Sequence, residues 1–205
     1  MSGTNHNSAI GTIILGAGAS RRMGKPKLLL PWHDTTVIGR IISTWRELGA
    51  SQIVVVMRPN DAALAAELNR LQLPAADRIE NPQPERGMFS SIVSAANWPG
   101  WRTELSGWAI VLGDQPHLLI ESLRQLLAAQ AQHPENICQP VSAGRLGHPV
   151  ILPRAAVDEL KTTRAATLKD FLKLMRSSCV QCEINDPGLR LDLDTPEDYI
   201  RLQFR

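Results

Sequence analysis

The sequence has little net charge, few cysteines and no long hydrophobic run. Its 205 residues carry a formal net charge of +2, which excludes the broad basic surface that is typical of nucleic-acid-binding proteins. No apolar stretch approaches the roughly 20 residues that a membrane-spanning helix requires, and the polar residues 1–11 do not resemble a signal peptide. We therefore expect no nucleic-acid partner, no membrane partner and a flexible N-terminal tail over residues 1–11.

Only three cysteines are present, an odd and small number that makes a disulfide framework improbable and favours a cytoplasmic protein. Cys179 and Cys182 form a lone CxxC pair. A structural zinc site would need two further ligands, and a redox pair would need a helix N-terminus to stabilise its thiolate. The segment SCVQCEI offers neither, so we interpret both cysteines as ordinary residues in or near a strand.

Hydrophobic strands alternate with helical patterns along the chain. Strands are predicted at TIILG, SQIVVVM, DRIEN, GWAIVLG, NICQPV, HPVILP and CVQCEI. Helices are predicted at TTVIGRIISTWRELG, NDAALAAELNRLQL, GMFSSIVSAANW, LIESLRQLLAAQAQ, TLKDFLKLM and TPEDYIRLQ. Continuous hydrophobic strands favour a mostly parallel sheet covered on both faces. Because repeats and a linker are absent, we expect one α/β domain over residues 12–205, a three-layer α/β/α sandwich that binds ligands beyond the carboxyl ends of its strands.

A glycine-rich turn with much positive charge follows the first strand. Residues 16–18, Gly-Ala-Gly, leave backbone N–H groups open to an anion. The cations that follow within seven residues are Arg21, Arg22, Lys25 and Lys27. A P-loop is excluded because five residues separate Gly18 from Gly24 and because Pro26 stands where Ser or Thr is required. A dinucleotide fingerprint is weak because position 21 is arginine. The pattern indicates a site for a polyanion such as a triphosphate.

Five segments together resemble one enzyme family. LGAGASRRMGKPKLLLP resembles the signature LAAGxSxRMGxxKxLLP of nucleotidyltransferases with a Rossmann-related, GT-A-like fold. GDQP, GHPVIL and LDLDTPEDY look like that family's metal-binding strand end, its acceptor loop and its final metal-and-helix motif. With NPQPERGMFSSI, they are most similar to the MobA/MocA-like family and, within it, to molybdenum cofactor cytidylyltransferases. The similarity runs from Thr12 to Leu202, and one difference is Gly16, where the family usually has alanine.

The resemblance implies transfer of CMP from CTP to the terminal phosphate of molybdopterin or the molybdenum cofactor, with release of pyrophosphate. It implies Arg22 and Lys27 as catalytic cations, and Asp114 and Asp194 as ligands of Mg²⁺. His148 in GHPV is the candidate for contact with the acceptor, and its alternative is an ordinary loop histidine. The residues implied to bind the nucleotide are Leu15, Gly16, Ala17, Gly18, Gly87 and Ser90.

The residue types suit this chemistry, which depends mostly on positioning and charge stabilisation. A guanidinium binds two oxygens at once, whereas an ammonium is a compact point charge. Asp114 follows the apolar run WAIVLG and should emerge at the carboxyl edge of the sheet, where Mg²⁺ would find a hard oxygen ligand. Asp192 and Asp194 face one side of an extended segment. The family pattern favours Asp194, but the sequence leaves both open.

Other functions share these residues. GTP could replace CTP, another small phosphate could be the acceptor, and the product could pass to a molybdenum hydroxylase. A different class of function is a nucleotide-binding chaperone that matures a molybdenum enzyme. The combination of Arg22, Lys27, Asp114 and Asp194 argues against pure binding, because a binding protein needs no clamp for a leaving group.

Overall fold

The computed structural model describes residues 9–20 and 22–203. In chain order the strands are β1 (Ile10–Leu15), β2 (Pro31–Trp32), β3 (Thr35–Thr36), β4 (Gln52–Met57), β5 (Arg78–Glu80), β6 (Gly107–Leu112), β7 (Ile137–Ser142), β8 (Arg145–Leu146), β9 (Val150–Pro153) and β10 (Cys179–Glu183). The helices are α1 (Val37–Glu47), α2 (Ala62–Arg70), α3 (Met88–Ala96), α4 (Ile120–Gln132), α5 (Arg154–Thr162), α6 (Leu168–Leu174) and α7 (Pro196–Gln203).

The main sheet is mostly parallel, as the sequence predicted. Its strand order is β10-β7-β9-β6-β1-β4-β5, with β8 paired to β7, while β2 and β3 form a separate antiparallel pair. β1 lies parallel to both β4 and β6, whereas β9 runs antiparallel to β6 and β7. The residues between β7 and β9 are too few for a parallel crossover, which needs about a dozen or more. The short connection therefore reverses β9.

Hydrophobic cores lie on both faces of the sheet, which makes the three-layer α/β/α sandwich. Along β1, Ile14 packs into the core that α1, α2, α4 and α7 cover. Its neighbour Ile13 packs into the core covered by α3, α5 and α6. Successive strand side chains point to opposite faces, so a strand that is buried on both faces is mostly apolar along its whole length. The run of hydrophobic residues in β1 is explained by this position.

Polar side chains fix the starts of several helices. The Thr36 hydroxyl accepts from Gly39 N at 3.1 Å before α1, and the Asp61 carboxylate accepts from Leu64 N at 3.0 Å before α2. Before α7, Thr195 Oγ1 accepts from Asp198 N at 3.2 Å and Asp198 Oδ2 accepts from Thr195 N at 3.1 Å. These caps satisfy N–H groups that a helix leaves without partners. Thr195 and Asp198 thus cap α7 reciprocally.

Two sequence expectations need correction. Ile10 and Gly11, which we assigned to the tail, belong to β1, because Ile10 is buried and pairs with Gly107 of β6; residues 1–8 of the expected tail lie outside the described residues. Helix α5 was not predicted, although Ala156, Val157 and Leu160 give it an apolar face that packs in the core covered by α3, α5 and α6.

Cys179 and Cys182 lie on β10 as expected. Within the described ranges, no helix is both long and apolar enough to cross a bilayer.

Candidate functional site

A cleft of about 410 Å³ opens where β1 and β6 end. Its walls are the loop after β1, the end of β6, the start of α3 and the residue that follows β4. Residues 15–18 and Gly87, which we expected to contact a nucleotide, line it together with Lys27 and Asp114. The cleft thus lies at the carboxyl edge of the parallel strands, where ligands bind in open α/β sheets.

Small residues let the strand ends come close together behind this cleft. Gly16 N donates to Val56 O at 2.7 Å, and a Cβ at Gly16 would lie 3.0 Å from that same oxygen. A Cβ at Gly113 would lie only 2.7 Å from Leu15 O. At Gly18, by contrast, no atom of a described residue other than its two chain neighbours lies within 4 Å of the Cβ position. The loop is therefore packed tightly at its start and faces open space two residues later.

The loop after Gly18 folds back on itself and positions Lys27. Ser20 O accepts from Met23 N at 3.1 Å and from Gly24 N at 3.2 Å. The Ser20 hydroxyl accepts from Lys27 N at 3.2 Å, and Met23 is buried beneath the loop. Lys25 is exposed, while Arg21 lies outside the described residues. These bonds hold the backbone of Lys27 at the mouth of the cleft.

Charged residues from three distant parts of the chain meet here. Lys27 Nζ lies 2.6 Å from Asp114 Oδ2 and 3.5 Å from Asp194 Oδ1. Arg22 Nη2 lies 2.8 Å from Asp194 Oδ2. Leu193 N donates to Asp114 O at 3.0 Å, which fastens the final segment to the end of β6. The structure therefore brings together the four residues that the sequence proposed for catalysis and metal binding.

The carboxylates fit a divalent cation. Asp114 Oδ1 is buried and has no hydrogen-bond partner in the described part of the chain, and Asp114 shares the Lys27 ammonium with Asp194. Mg²⁺ prefers one or two carboxylates together with phosphate oxygens and water. The described residues contain no group of three or more His, Cys, Asp or Glu side chains that could hold a metal. The remaining ligands would therefore come from phosphate and water.

Asp192, the alternative second ligand, has a different environment. Its Oδ1 accepts from Gln115 Nε2 at 3.1 Å, and within the described part of the chain it forms no ion pair with Lys27 or Arg22, the two cations that Asp194 contacts. Loss of hydration raises the pKa of Asp192, and the negative charge of Asp114 adds to this shift. The contacts of Asp194 with both cations favour it over Asp192 as a ligand, and its role stays a prediction.

The start of α3 forms the wall opposite the glycine-rich loop. Gly87 has φ +86° and ψ −176°, a conformation that glycine adopts and other residues avoid. The Ser90 hydroxyl lies 2.7 Å from Gly87 O and accepts from Asn81 Nδ2 at 2.8 Å. Ser91 lines the cleft, one helix position further on. The contact of Ser90 with a nucleotide stays a prediction. Of the two serines it is Ser91 that lines the cleft, although its side chain is largely buried.

His148 lies just before β9 and is half-buried. Burial lowers the pKa of its imidazole, against the opposing effects of the Ile110 backbone and of the Asp114 charge. Its Nδ1 is buried and has no hydrogen-bond partner among the residues described. His148 is thus close enough to Asp114 to respond to its charge, although it does not line the cleft. Its contact with an acceptor stays a prediction.

Arg58 is a residue of the site that the sequence did not single out. It follows β4 directly and lines the cleft. It also lines a second cavity of about 330 Å³ beside the glycine-rich loop. The available signal was an arginine placed directly after a buried strand, at the edge where ligands bind.

Comparisons with known proteins agree with this geometry. The MobA-like NTP transferase domain family matches residues 12–180. The molybdenum cofactor cytidylyltransferase of Escherichia coli (strain K12) is 26% identical over 199 residues, which cover 97% of each chain. A molybdenum cofactor guanylyltransferase of Mesorhizobium japonicum is 31% identical over 138 residues, 66% of this chain and 62% of that protein.

A solved structure also matches along nearly the whole chain. Rv0371C of Mycobacterium tuberculosis H37Rv, determined in complex with manganese, superposes with a TM-score of 0.69 at 25% identity. The match covers 97% of this chain and 99% of that one. The family match spans far more than half of the sequence and contains the glycine-rich loop, Lys27 and Asp114. The chain therefore belongs to the MobA-like NTP transferase family.

Proposed function

We propose that the protein is a Mg²⁺-dependent cytidylyltransferase that moves CMP from CTP to the terminal phosphate of molybdopterin or the molybdenum cofactor. The main supporting observation is the placement of Lys27 between Asp114 and Asp194 at the mouth of the cleft. A cation and two carboxylates at a strand end can together hold a metal–triphosphate complex. A protein that only binds nucleotides has no need of this arrangement.

The reaction is an in-line displacement at the α-phosphorus. An oxygen of the acceptor phosphate forms a bond to that phosphorus, the bond from phosphorus to the bridging oxygen breaks, and its electron pair leaves with pyrophosphate. The acceptor phosphate is already anionic, so no general base is required. Catalysis then depends on holding the two phosphates in line and on stabilising the charge that develops on the leaving group.

The two cations of the site suit different parts of this task. The Lys27 side chain is only 15% exposed, so its ammonium is held in place before the substrate arrives and can stabilise charge near the α-phosphate without reorganising. The Arg22 side chain is 72% exposed, and its guanidinium can turn from Asp194 toward two oxygens of the leaving pyrophosphate. We assign Lys27 to the reacting phosphate and Arg22 to the leaving group.

Asp114 and Asp194 would hold the metal ion, with Asp114 Oδ1 as the oxygen that has no partner in the described chain. Bound Mg²⁺ would neutralise phosphate charge and polarise the α-phosphate. The carboxylates also hold Lys27 by direct ion pairs. They therefore have a second function, which is to keep the ammonium oriented when the nucleotide is absent.

The choice of base rests on similarity. The E. coli relative that aligns along 97% of both chains is a cytidylyltransferase, which favours CTP. The relative with 31% identity is a guanylyltransferase and aligns over a shorter part, which makes GTP the second candidate. We place the base between residues 15–18 and Gly87, because these line opposite walls of the cleft. From the sequence resemblance alone, we also propose that the product passes to a molybdenum hydroxylase.

The test is pyrophosphate release with each of the four nucleoside triphosphates, Mg²⁺ and molybdopterin or its molybdenum form. CTP should give the highest rate, and omission of the acceptor should stop it. A higher rate with GTP would identify a guanylyltransferase. Binding of CTP without turnover, in the presence of both acceptors, would favour the chaperone function. The Asp114→Asn variant serves as the inactive control for contaminating pyrophosphate-releasing enzymes.

A further inference from the structure

We propose that Arg58 binds the pyrophosphate group and guides its departure from the cleft through the second cavity. Arg58 lies at the carboxyl edge of the sheet, directly after β4. It lines both the cleft and the second cavity, whose shared wall also contains residues 18–20 of the glycine-rich loop. A phosphate group that leaves the open backbone at Gly18 would therefore meet the Arg58 guanidinium.

The charge of Arg58 is available to such a ligand. Arg22 and Lys27 are both paired with carboxylates, whereas Arg58 is exposed and forms no ion pair or side-chain hydrogen bond with any described residue. A guanidinium that is free of a protein partner can offer two parallel N–H groups to phosphate oxygens. Arg58 can thus receive the leaving group without first breaking an internal contact.

The second cavity has a positive balance of charged side chains. It is lined by two cationic side chains, Lys25 and Arg58, and by the carboxylate of Asp61. Asp61 already caps α2, where its Oδ1 accepts from Leu64 N. On the cleft side, Glu85 shares a wall with Arg58, but no described contact joins the two side chains. The surface beyond the glycine-rich loop therefore favours an anion over a cation.

The reaction makes such a residue useful. When the bond between the α-phosphorus and the bridging oxygen breaks, the electron pair stays on pyrophosphate, which then carries more negative charge than it had within the triphosphate. Lys27 remains near the α-phosphate and its carboxylates. Arg22, which we assign to the leaving group, must first turn from Asp194, so a cation without a carboxylate partner is needed further along the path of departure. This inference rests on the nucleotidyl transfer of the proposed function but on neither the identity of the base nor that of the acceptor.

The experiment is calorimetric titration of the whole protein with inorganic pyrophosphate and Mg²⁺, repeated with CMP. The variants are Arg58→Ala, Arg58→Lys and, as a control, Arg164→Ala, an exposed arginine outside the cleft lining. Arg58→Ala should weaken pyrophosphate binding by about tenfold, the loss expected for charge-assisted hydrogen bonds near solvent. Arg58→Lys should recover part of it, and CMP should bind all four proteins equally.

The other outcomes overturn the inference. Unchanged pyrophosphate affinity in Arg58→Ala would show that Arg58 does not contact the leaving group. An equal loss for CMP would place Arg58 at the nucleoside or the α-phosphate, and a wild-type protein that binds no pyrophosphate would remove the site altogether. Circular dichroism melting confirms that each variant is folded. The pyrophosphate titration can be interpreted even if the protein shows no cytidylyltransferase activity. A failure of this inference and a failure of the proposed function can therefore be told apart.

Discussion

Two groups of charged residues lie in or beside the cleft and are held in different ways. The inner group consists of Lys27, Asp114 and Asp194, whose side chains are 15%, 21% and 26% exposed and form direct ion pairs. The outer group consists of Arg22 and Arg58, which are exposed and project from loops. The protein cation beside the reacting phosphate must be in place before the reaction, whereas the cations that contact the leaving group must also let it go. The difference in burial matches these two requirements.

The inner group is fixed by the backbone as well as by its own charges. Leu193 N donates to Asp114 O, so the segment that carries Asp194 is attached to the residue that carries the other carboxylate. Ser20 Oγ accepts from Lys27 N and so fixes the backbone of the residue that carries the ammonium. No comparable bond to a side chain is present for Arg58 in the described part of the chain. Substitutions in the inner group should therefore have the larger effects on turnover.

The largest effect is expected for Asp114→Asn, which keeps the side-chain size and removes the charge. Turnover should fall by about a thousandfold or more, because metal stabilisation of phosphate charge contributes several kcal/mol to the barrier. The control is Asp198→Asn, whose carboxylate caps α7. Because asparagine keeps an oxygen that can accept from Thr195 N and loses only the negative charge near the helix N-terminus, this variant should cost about 0.3–1 kcal/mol of stability and leave kcat unchanged. Near-normal activity of Asp114→Asn at saturating Mg²⁺ would contradict the metal assignment.

Much of the fold and part of this site could be predicted from the sequence. Hydrophobic runs such as SQIVVVM and GWAIVLG predict buried parallel strands, and the small and charged residues after β1 predict an anion site. The antiparallel direction of β9 follows from the seven-residue connection between β7 and β9. The amino-acid composition of that connection does not predict the path that its backbone takes. The predicted nucleotide contact at Ser90 shows a similar gap: the neighbouring Ser91 lines the cleft, and the rotation of α3 about its axis, which decides between the two serines, could not be predicted from the sequence.

The second prediction compares the two groups directly. Lys27→Gln should lower kcat by about a hundredfold, the loss known for one preorganised donor to developing charge, with a smaller change in KM for the nucleotide. Arg22→Gln should cost only about tenfold, because its exposed side chain is screened by water. Lys169→Gln, on the surface of α6, controls for loss of a lysine. Equal losses for Lys27→Gln and Arg22→Gln would remove the distinction between inner and outer groups.

The third prediction concerns the support behind Asp114. In Gly113→Ala the new methyl group would lie 2.7 Å from Leu15 O and 2.8 Å from Leu28 Cδ2. Such overpacking costs about 1–3 kcal/mol, which should lower the Tm by several degrees in a domain of this size. Gly18→Ala has open space around the methyl group and should keep the Tm while weakening nucleotide binding. Thermal melts check both variants. An unchanged Tm for Gly113→Ala together with a lowered Tm for Gly18→Ala would show that the strand ends are not closely packed.

The smallest effect is expected for Gly16→Ala. The methyl group would lie 3.0 Å from Val56 O and 3.2 Å from Leu28 Cδ1, so these neighbours must move by a few tenths of an ångström. Replacing glycine also restricts the unfolded chain, which returns about 0.4–1 kcal/mol. The opposing terms should leave the free energy of unfolding in urea within about 1 kcal/mol of the wild type, with kcat retained because Lys27 and Asp114 are undisturbed. A decrease of more than about 2 kcal/mol in the free energy of unfolding would show that the contact between the ends of β1 and β4 cannot adjust. The start of the glycine-rich loop would then be as rigid as the inner group.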